Sequence, residues 1–328
     1  MLWFLVLLGV AVGLLGVVFL TRGARSDMRK GPQVHSKLER IYQFVDVVDR
    51  FITSGFDKVL QLEFKSMQLV GWCEKEGLQC LYKVPGNVCD GTGALPLGVV
   101  ASLFDSVSTY AIIAEDKQRR PGVSVSLRAD YTQLEARPRE GDTLIVAARA
   151  YKIGKLMGFA QCSVRRKDSD EVIATGEHIK YLPMGMIWNI AFGRWLFPLV
   201  QHASRVFWTQ VAPKEQGDNK SKLHDAVSFD EISPCGQKAL FQASHIHNNP
   251  MGFVHGGCQA ILCEKMGLSA RKALYNDNNL VVRSLNLSYS SAGRNKLSIN
   301  VKTMEDGSDV CIQKPNGDVV ASARLVFF

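Results

Sequence analysis

The sequence predicts an α+β protein in which an antiparallel sheet wrapped around one long helix occurs twice, behind an apolar N-terminal span. Three observations carry that expectation. An internal repeat keeps its spacing, each repeat holds a helix-length stretch, and alternating strand-like runs follow it. The 328 residues suffice for one large domain or two ordinary ones. The composition, 46% hydrophobic and 21% charged with 28 Gly and 11 Pro, belongs to a folded protein and to neither a disordered nor a collagen-like class.

Residues 2–20 carry no charged or strongly polar side chain. As a helix this run spans about 28 Å, the thickness of a bilayer's hydrocarbon core. A cleavable signal peptide would place its basic residues before the apolar run, whereas Arg22, Arg25, Arg29 and Lys30 follow it. The expectation is therefore a transmembrane anchor over 1–21 and a basic flank over 22–35. The positive flank orients everything after it towards the cytosol. Endoplasmic reticulum and mitochondrial outer membrane both remain open as the host.

The repeat gives the rest of the organisation. Asp90, Pro96 and Asp105 are separated by six and then nine positions, and so are Asn249, His255 and Glu264. Further on, Ser126-Leu-Arg-Ala-Asp-Tyr131 parallels Ser284-Leu-Asn-Leu-Ser-Tyr289, and the run from Lys167 to Thr175 parallels that from Lys314 to Ser322. The units are expected over 36–183 and 223–328, joined by an apolar, aromatic connector and a polar linker over 184–222. The connector holds Trp188, Trp195 and Trp208. It reads as a helix covering the sheet, with an interfacial membrane contact or an acyl-chain lid as the sharper alternative. Within the first unit, strands are expected over 60–69 and 77–82, a helix over 97–115, and strands over 123–131, 142–151, 158–165 and 171–181. Asn316-Gly317 signals a hairpin turn between strands over 309–313 and 319–328.

Charge and cysteine usage narrow the partners. The formal charge of +8 favours phosphate-bearing ligands or anionic membranes. The basic residues are scattered, without the clustered basic and aromatic pattern that nucleic acid requires, so no nucleic-acid partner is expected. The eight cysteines contain no C-x-x-C pair and read as free thiols in a reducing compartment. His245 and His247 lack a carboxylate or cysteine at ligand spacing and read as ordinary strand or loop histidines, so no metal is expected.

Asp105 stands out because it interrupts a helix that is apolar on nearly every face. Burying such a carboxylate is costly unless it is paired, hydrogen-bonded or open to a cleft. It reads either as an interface ion pair or as a base or nucleophile facing substrate. His255-Gly256-Gly257 opens the second helix, where exposed N–H groups and the helix dipole can hold a developing oxyanion. Glu264 reads as an exposed or ion-paired helix residue beside Lys265.

The first half, from about residue 51 to 183, resembles the small hot-dog acyl-CoA thioesterases of the thioesterase superfamily, including the mitochondria-associated mammalian type. The resemblance is carried by Ser54-Gly-Phe-Asp-Lys-Val-Leu60, Leu103-Phe-Asp-Ser-Val-Ser-Thr109, Gly122-Val-Ser-Val125 and Ala174-Thr-Gly-Glu-His-Ile-Lys180. The second half is similar more weakly outside residues 249–264. Together they look like a double hot-dog in which two fused units mimic the usual dimer; a further homodimer is left open.

That resemblance implies a site between the units, with Asn and His-Gly at one helix start and a carboxylate and a Ser from the other unit. By position, Asn249, His255 and Gly256 would combine with Asp105 and Ser124 into one complete acyl-CoA hydrolase site. The opposite combination has Asp90, Pro96, Leu97, Glu264 and Val282 at the same positions and is expected to be dead. The resemblance implies no cofactor, CoA being part of the substrate. Lys117, Arg119, Arg120 and Lys180 are the expected contacts of its phosphates. Two alternatives stand beside this reading: a non-catalytic acyl-CoA-binding scaffold, and a hot-dog hydratase, whose Asp-x-Asn-Pro-x-His pattern the sequence does not keep.

Overall fold

Residues 97–115 hold only two charged side chains, Asp105 and Glu115, so as a helix they have almost no face to offer water and must be enclosed. The computed structural model shows how. It describes residues 37–45, 55–62, 67–183, 185, 199, 223–249, 251–277 and 279–328. The chain runs through helices α1 (37–45) and α2 (Gly55–Leu60), strands β1 (Gln68–Cys73) and β2 (Gly77–Lys83), and the long helix α3 (Leu97–Glu115). Strands β3 (Val123–Tyr131), β4 (Thr143–Ile153), β5 (Met157–Arg166) and β6 (Val172–Tyr181) follow. The second run has α4 (Leu223–Ala226), β7 (Glu231–Ile232), β8 (Lys238–Gln242) and α5 (Gly256–Tyr275), then β9 (Val282–Tyr289), β10 (Lys296–Met304), β11 (Gly307–Gln313) and β12 (Val319–Phe327).

Among the described residues twelve strands join one antiparallel sheet in the order β1-β2-β4-β5-β6-β3-β9-β12-β11-β10-β8-β7. Its midpoint is the β3–β9 pairing, where Leu127 faces Leu287 and Arg128 faces Asn286. Read outward from that junction, the two halves place corresponding strands in the same order. Alternation explains the strands: in β5, Gly158, Ala160, Cys162 and Val164 point inward while Gln161 meets solvent.

α3 is long and apolar enough to cross a membrane, yet the sheet encloses it, and sixteen of its nineteen residues are buried. Each fully buried Leu, Val or Phe here stabilises the fold by about 1.5–3 kcal/mol relative to exposure. α3 and α5 pack on each other. A Cβ at Gly98 would lie 2.9 Å from the Ile261 Cα, and one at Gly257 would lie 3.0 Å from the Ser102 Cα, so only glycine permits this approach.

The strand expected over 60–69 is corrected. Phe56, Val59 and Leu60 are buried at helical spacing and form α2, and β1 begins only at Gln68. His245–His247 form a 3-10 turn. There His247 Nδ1 accepts from the Ser244 N–H, and its Nε2 donates to the Ala226 carbonyl at 2.5 Å. The anchor, its basic flank and, but for isolated positions, the connector over 184–222 lie outside the described residues. All eight cysteines are free thiols.

Candidate active site

Position nine of α3 and the first turn of α5 meet between the helices. Asp105 is buried, and a Cβ placed on Gly256 would come within 2.8 Å of its Oδ2 and 3.2 Å of the Tyr289 hydroxyl. That hydroxyl donates to the Gly256 carbonyl at 3.1 Å. His255, the N-cap of α5, accepts the Gly257 N–H at its Nδ1 (3.0 Å) and sits 3.6 Å from Asp105 Oδ2. This cap satisfies one of the orphan donors of the first turn.

The other carboxylate oxygen faces β3 and β6. Ser124 Oγ donates to Asp105 Oδ1 at 3.2 Å. Because that hydroxyl hydrogen is committed, the His178 Nε2–H must donate to Ser124 Oγ, at 3.0 Å. His178 Nδ1 then accepts from Ser108 Oγ at 2.6 Å. The chain Ser108–His178–Ser124–Asp105 thus has one consistent direction. Lys180 Nζ lies 3.6 Å from Asp105 Oδ1 and donates to Thr109 Oγ1 at 2.6 Å.

These neighbours set the charges. Burial by itself would raise the Asp105 pKa, but Lys180 first, then His255, His178 and the Ser124 hydrogen bond, hold it well below the usual carboxylate range. Burial lowers the Lys180 ammonium, and the attraction of Asp105 opposes that shift. Burial, reinforced by Lys180, takes His178 down to about 3, so its ring is neutral. Asp105 is therefore a carboxylate throughout the physiological range, beside N–H groups at a helix start.

Asn249, His255, Gly256, Asp105 and Ser124 are not equivalent in this arrangement. The last four converge. Asn249 Oδ1 instead accepts from the Met251 N–H (2.9 Å) and the Phe253 N–H (3.2 Å), holding the loop that leads into α5. Asp90 Oδ1 does the same in the first half, accepting from the Thr92 and Ala94 N–H groups. Ser108, Thr109, His178 and Tyr289 were not singled out from sequence. The signal for His178 was present: it alternates with Gly176 and Lys180 on the buried face of β6.

The corresponding corner of the other half is closed. Glu264 is buried, not exposed or paired with Lys265, whose Nζ donates instead to the Val227 carbonyl. Adjacent helix residues point in different directions, so Glu264 and Lys265 do not meet. The Glu264 carboxylate accepts from the Leu97 N–H at 3.0 Å and the Gly98 N–H at 2.6 Å, occupying the start of α3. Burial pushes its pKa up to about 7 against those two hydrogen bonds.

The expected phosphate contacts divide. Lys117 is exposed. Arg119 donates to Gln43 Oε1 at 3.0 Å. Arg120 is buried, paired with Asp116 at 2.8 Å and bonded to the Lys155 and Gly154 carbonyls, so it fastens the loop after α3. Lys180 lies beside Asp105 rather than on the surface. Both are corrected from phosphate contacts to buried ion partners. Among the described residues no group of three or more His, Cys, Asp or Glu could hold a metal ion.

Comparison with known proteins places this geometry in context. A model of the thioesterase superfamily matches residues 95–173. The mouse (Mus musculus) protein acyl-coenzyme A thioesterase 13 is 33% identical over 132 residues, covering 40% of this chain and 88% of that protein. Its Homo sapiens counterpart is 30% identical over 103 residues, covering 31% and 71%. Among solved structures, the tesB protein of Mycobacterium avium subspecies paratuberculosis superposes with a TM-score of 0.53 at 8% identity, covering 84% of this chain and 99% of that one. At that identity the likeness speaks for the fold alone.

Proposed function

The chain belongs to the thioesterase superfamily, and from that premise we propose that it hydrolyses acyl-CoA thioesters at one composite site between two fused hot-dog units. The observation that carries this reading is the approach of Asp105, on α3, to Gly256, at the start of α5. A carboxylate and a helix N-terminus are the two parts that acyl transfer to water needs: one delivers the nucleophile, the other stabilises the oxyanion. The mirrored element order of the two halves supports the double hot-dog, as does a superposition that extends over 84% of the chain.

In the mechanism, the thioester oxygen is held at the Gly256 N–H, where the helix dipole favours negative charge. One such donor contributes about 3–4 kcal/mol to the transition state. Asp105 delivers oxygen to the carbonyl carbon, through a water that it deprotonates or by direct attack followed by hydrolysis. The C–S bond breaks, and the proton taken from water passes to the CoA thiolate. Either route consumes one water and yields one acid and one thiol. In a single turnover in oxygen-18 water, label in Asp105 identifies direct attack with hydrolysis at the Asp105 carbon of the anhydride. Ser124, aligned by His178, orients the carboxylate; Asn249 shapes the loop; His255 caps the helix. Lys180 balances the charge of Asp105. The closed corner at Glu264 is catalytically silent, because its own carboxylate occupies the N–H groups an oxyanion would need. The apolar run over 2–20 would hold the enzyme on a membrane with its catalytic part in the cytosol.

Thiol release from a series of acyl-CoA esters, followed with a thiol-reactive chromophore, tests the reading. Steady release with at least one chain length is expected. Acyl-CoA binding without release at any length would identify a scaffold, and conversion of an enoyl-CoA without thiol release would identify a hydratase.

A further inference from the structure

His255 stands between two carboxylates. Its Nδ1 lies 3.6 Å from Asp105 Oδ2, and its Nε2 lies 3.4 Å from Asp57 Oδ1 on α2. The neighbouring residue of α2, Phe56, stacks on the ring at a centroid distance of 5.2 Å and a tilt of 31°. The tautomer follows from the cap. The Gly257 N–H can only donate, and it donates to Nδ1, so a neutral ring carries its proton on Nε2, the nitrogen that lies nearer Asp57. The opposite tautomer would set an Nδ1–H against the Gly257 N–H and offer that hydrogen to Asp105.

We propose that Asp57 is a positioning residue of this site, holding the His255 proton on Nε2 so that Nδ1 caps Gly257 and neither nitrogen ties up Asp105. The inference rests on the composite-site reading and adds a residue to it. The other charged groups facing this corner are Asp105 from α3 and, behind it, Lys180 with the neutral His178 ring from β6. Among the described residues Asp57 is the carboxylate nearest Nε2, and its charge gives the ring a direction, as a carboxylate does for the imidazole of a hydrolytic triad. With the cap made by the imidazole, the Gly256 N–H stays available to the thioester oxygen, and Phe56 keeps the ring plane in place. The arrangement couples α2, whose Phe56, Val59 and Leu60 belong to the hydrophobic core, to the rate of the reaction.

The test compares Asp57→Asn, Asp57→Glu and Asp105→Asn in the full chain, by thiol release and thermal melting. Asp57→Asn is expected to lower kcat about 10- to 100-fold with KM within about twofold, because uniform substrate binding is untouched. Asp57→Glu is expected to recover most of kcat. Nitrogen-15 spectra of the histidine-labelled wild type, assigned by loss of the signal in His255→Gln, are expected to show Nε2 protonated and Nδ1 bare. An Nδ1-protonated His255, or an Asp57→Asn enzyme with wild-type kcat beside an inactive Asp105→Asn, overturns the inference. A loss in Asp57→Asn that Asp57→Glu does not rescue, or that appears in KM alone, also overturns it. Full activity in Asp105→Asn would instead sink the composite-site reading beneath it.

Discussion

Replacing Gly256 by Ala perturbs the site by a single methyl group. The new Cβ would lie 2.8 Å from Asp105 Oδ2, about 0.6 Å inside ordinary van der Waals contact, and 3.2 Å from the Tyr289 hydroxyl. The backbone at Gly256 needs no left-handed conformation, so the cost falls on the neighbours rather than on the helix. Ala in a helix is favoured over Gly by about 0.8–1 kcal/mol, while overpacking of this kind costs about 1–3 kcal/mol. Net destabilisation should stay within roughly 2 kcal/mol, a fall in melting temperature of several degrees. Catalysis should suffer far more. Displacing a positioned group by up to an ångström costs about 10²-fold, and that loss should appear in kcat with KM little changed. Gly98→Ala is the matched control. Its Cβ would meet Glu264 Oε2 at 2.8 Å and the Ile261 Cα at 2.9 Å, a backbone contact that cannot yield, so stability should fall further while kcat below the melting range is spared. Thiol release and thermal melts on the two variants provide the assay. Wild-type kcat in Gly256→Ala, or an equal kcat loss in the stably folded Gly98→Ala, would refute the reasoning.

Three further outcomes follow from the charges. Lys180→Met removes the foremost group holding the Asp105 carboxyl down, so a carbon-13 titration should show Asp105 ionising about 1–3 units higher; an unchanged titration would show that Lys180 does not set its charge. Glu264, raised from 4.5 to about 7, favours the fold when protonated, so that contribution is full below pH 4.5 and is lost as pH rises through 7. Denaturant titrations should therefore show wild type losing up to roughly 3 kcal/mol relative to Glu264→Gln between pH 4.5 and 7.5, whereas parallel pH profiles would contradict the assignment. Arg120→Ala leaves buried Asp116 uncompensated and should destabilise by about 3–5 kcal/mol, with KM for acyl-CoA unchanged; a raised KM in a fold of normal stability would return Arg120 to the phosphate site.

Much of this was legible in the sequence where a pattern was strictly local. The helix over 97–115 and the strand over 123–131 match the structure, because a mostly apolar stretch of 19 residues is too long for one strand and a clean alternation specifies the strand period. Asp105 announced itself as a lone carboxylate among apolar neighbours. The misses share a physical cause, namely that burial is decided by tertiary packing. Lys180 and Arg120 look like solvated cations in the sequence, but each has a carboxylate waiting in the interior, Asp105 and Asp116. Glu264 looked like a surface residue beside Lys265, yet its partners are the backbone N–H groups of Leu97 and Gly98, more than 160 positions away in the chain. The strand expected over 60–69 starts too early, and α2 itself goes unread, since its apolar residues at 56, 59 and 60 fill little more than one helical turn, too short for periodicity to settle. Asp57 sits within the Ser54–Leu60 stretch that carries the resemblance, but only the folded position of His255 gives it a purpose.

Initial rates of thiol release from Asp105→Asn and Glu264→Gln, assayed side by side on the same acyl-CoA, address the composite site most directly. The two carboxylates occupy matching positions on α3 and α5, but only Asp105 faces an open helix start. Asp105→Asn should lose about 10³-fold or more of kcat, the scale of an acid–base group, while Glu264→Gln keeps at least about half, since removing a surplus hydrogen-bond acceptor leaves transition-state stabilisation intact. Comparable losses in both variants, or an Asp105→Asn enzyme that turns over at the wild-type rate, would contradict a single site built from the two halves.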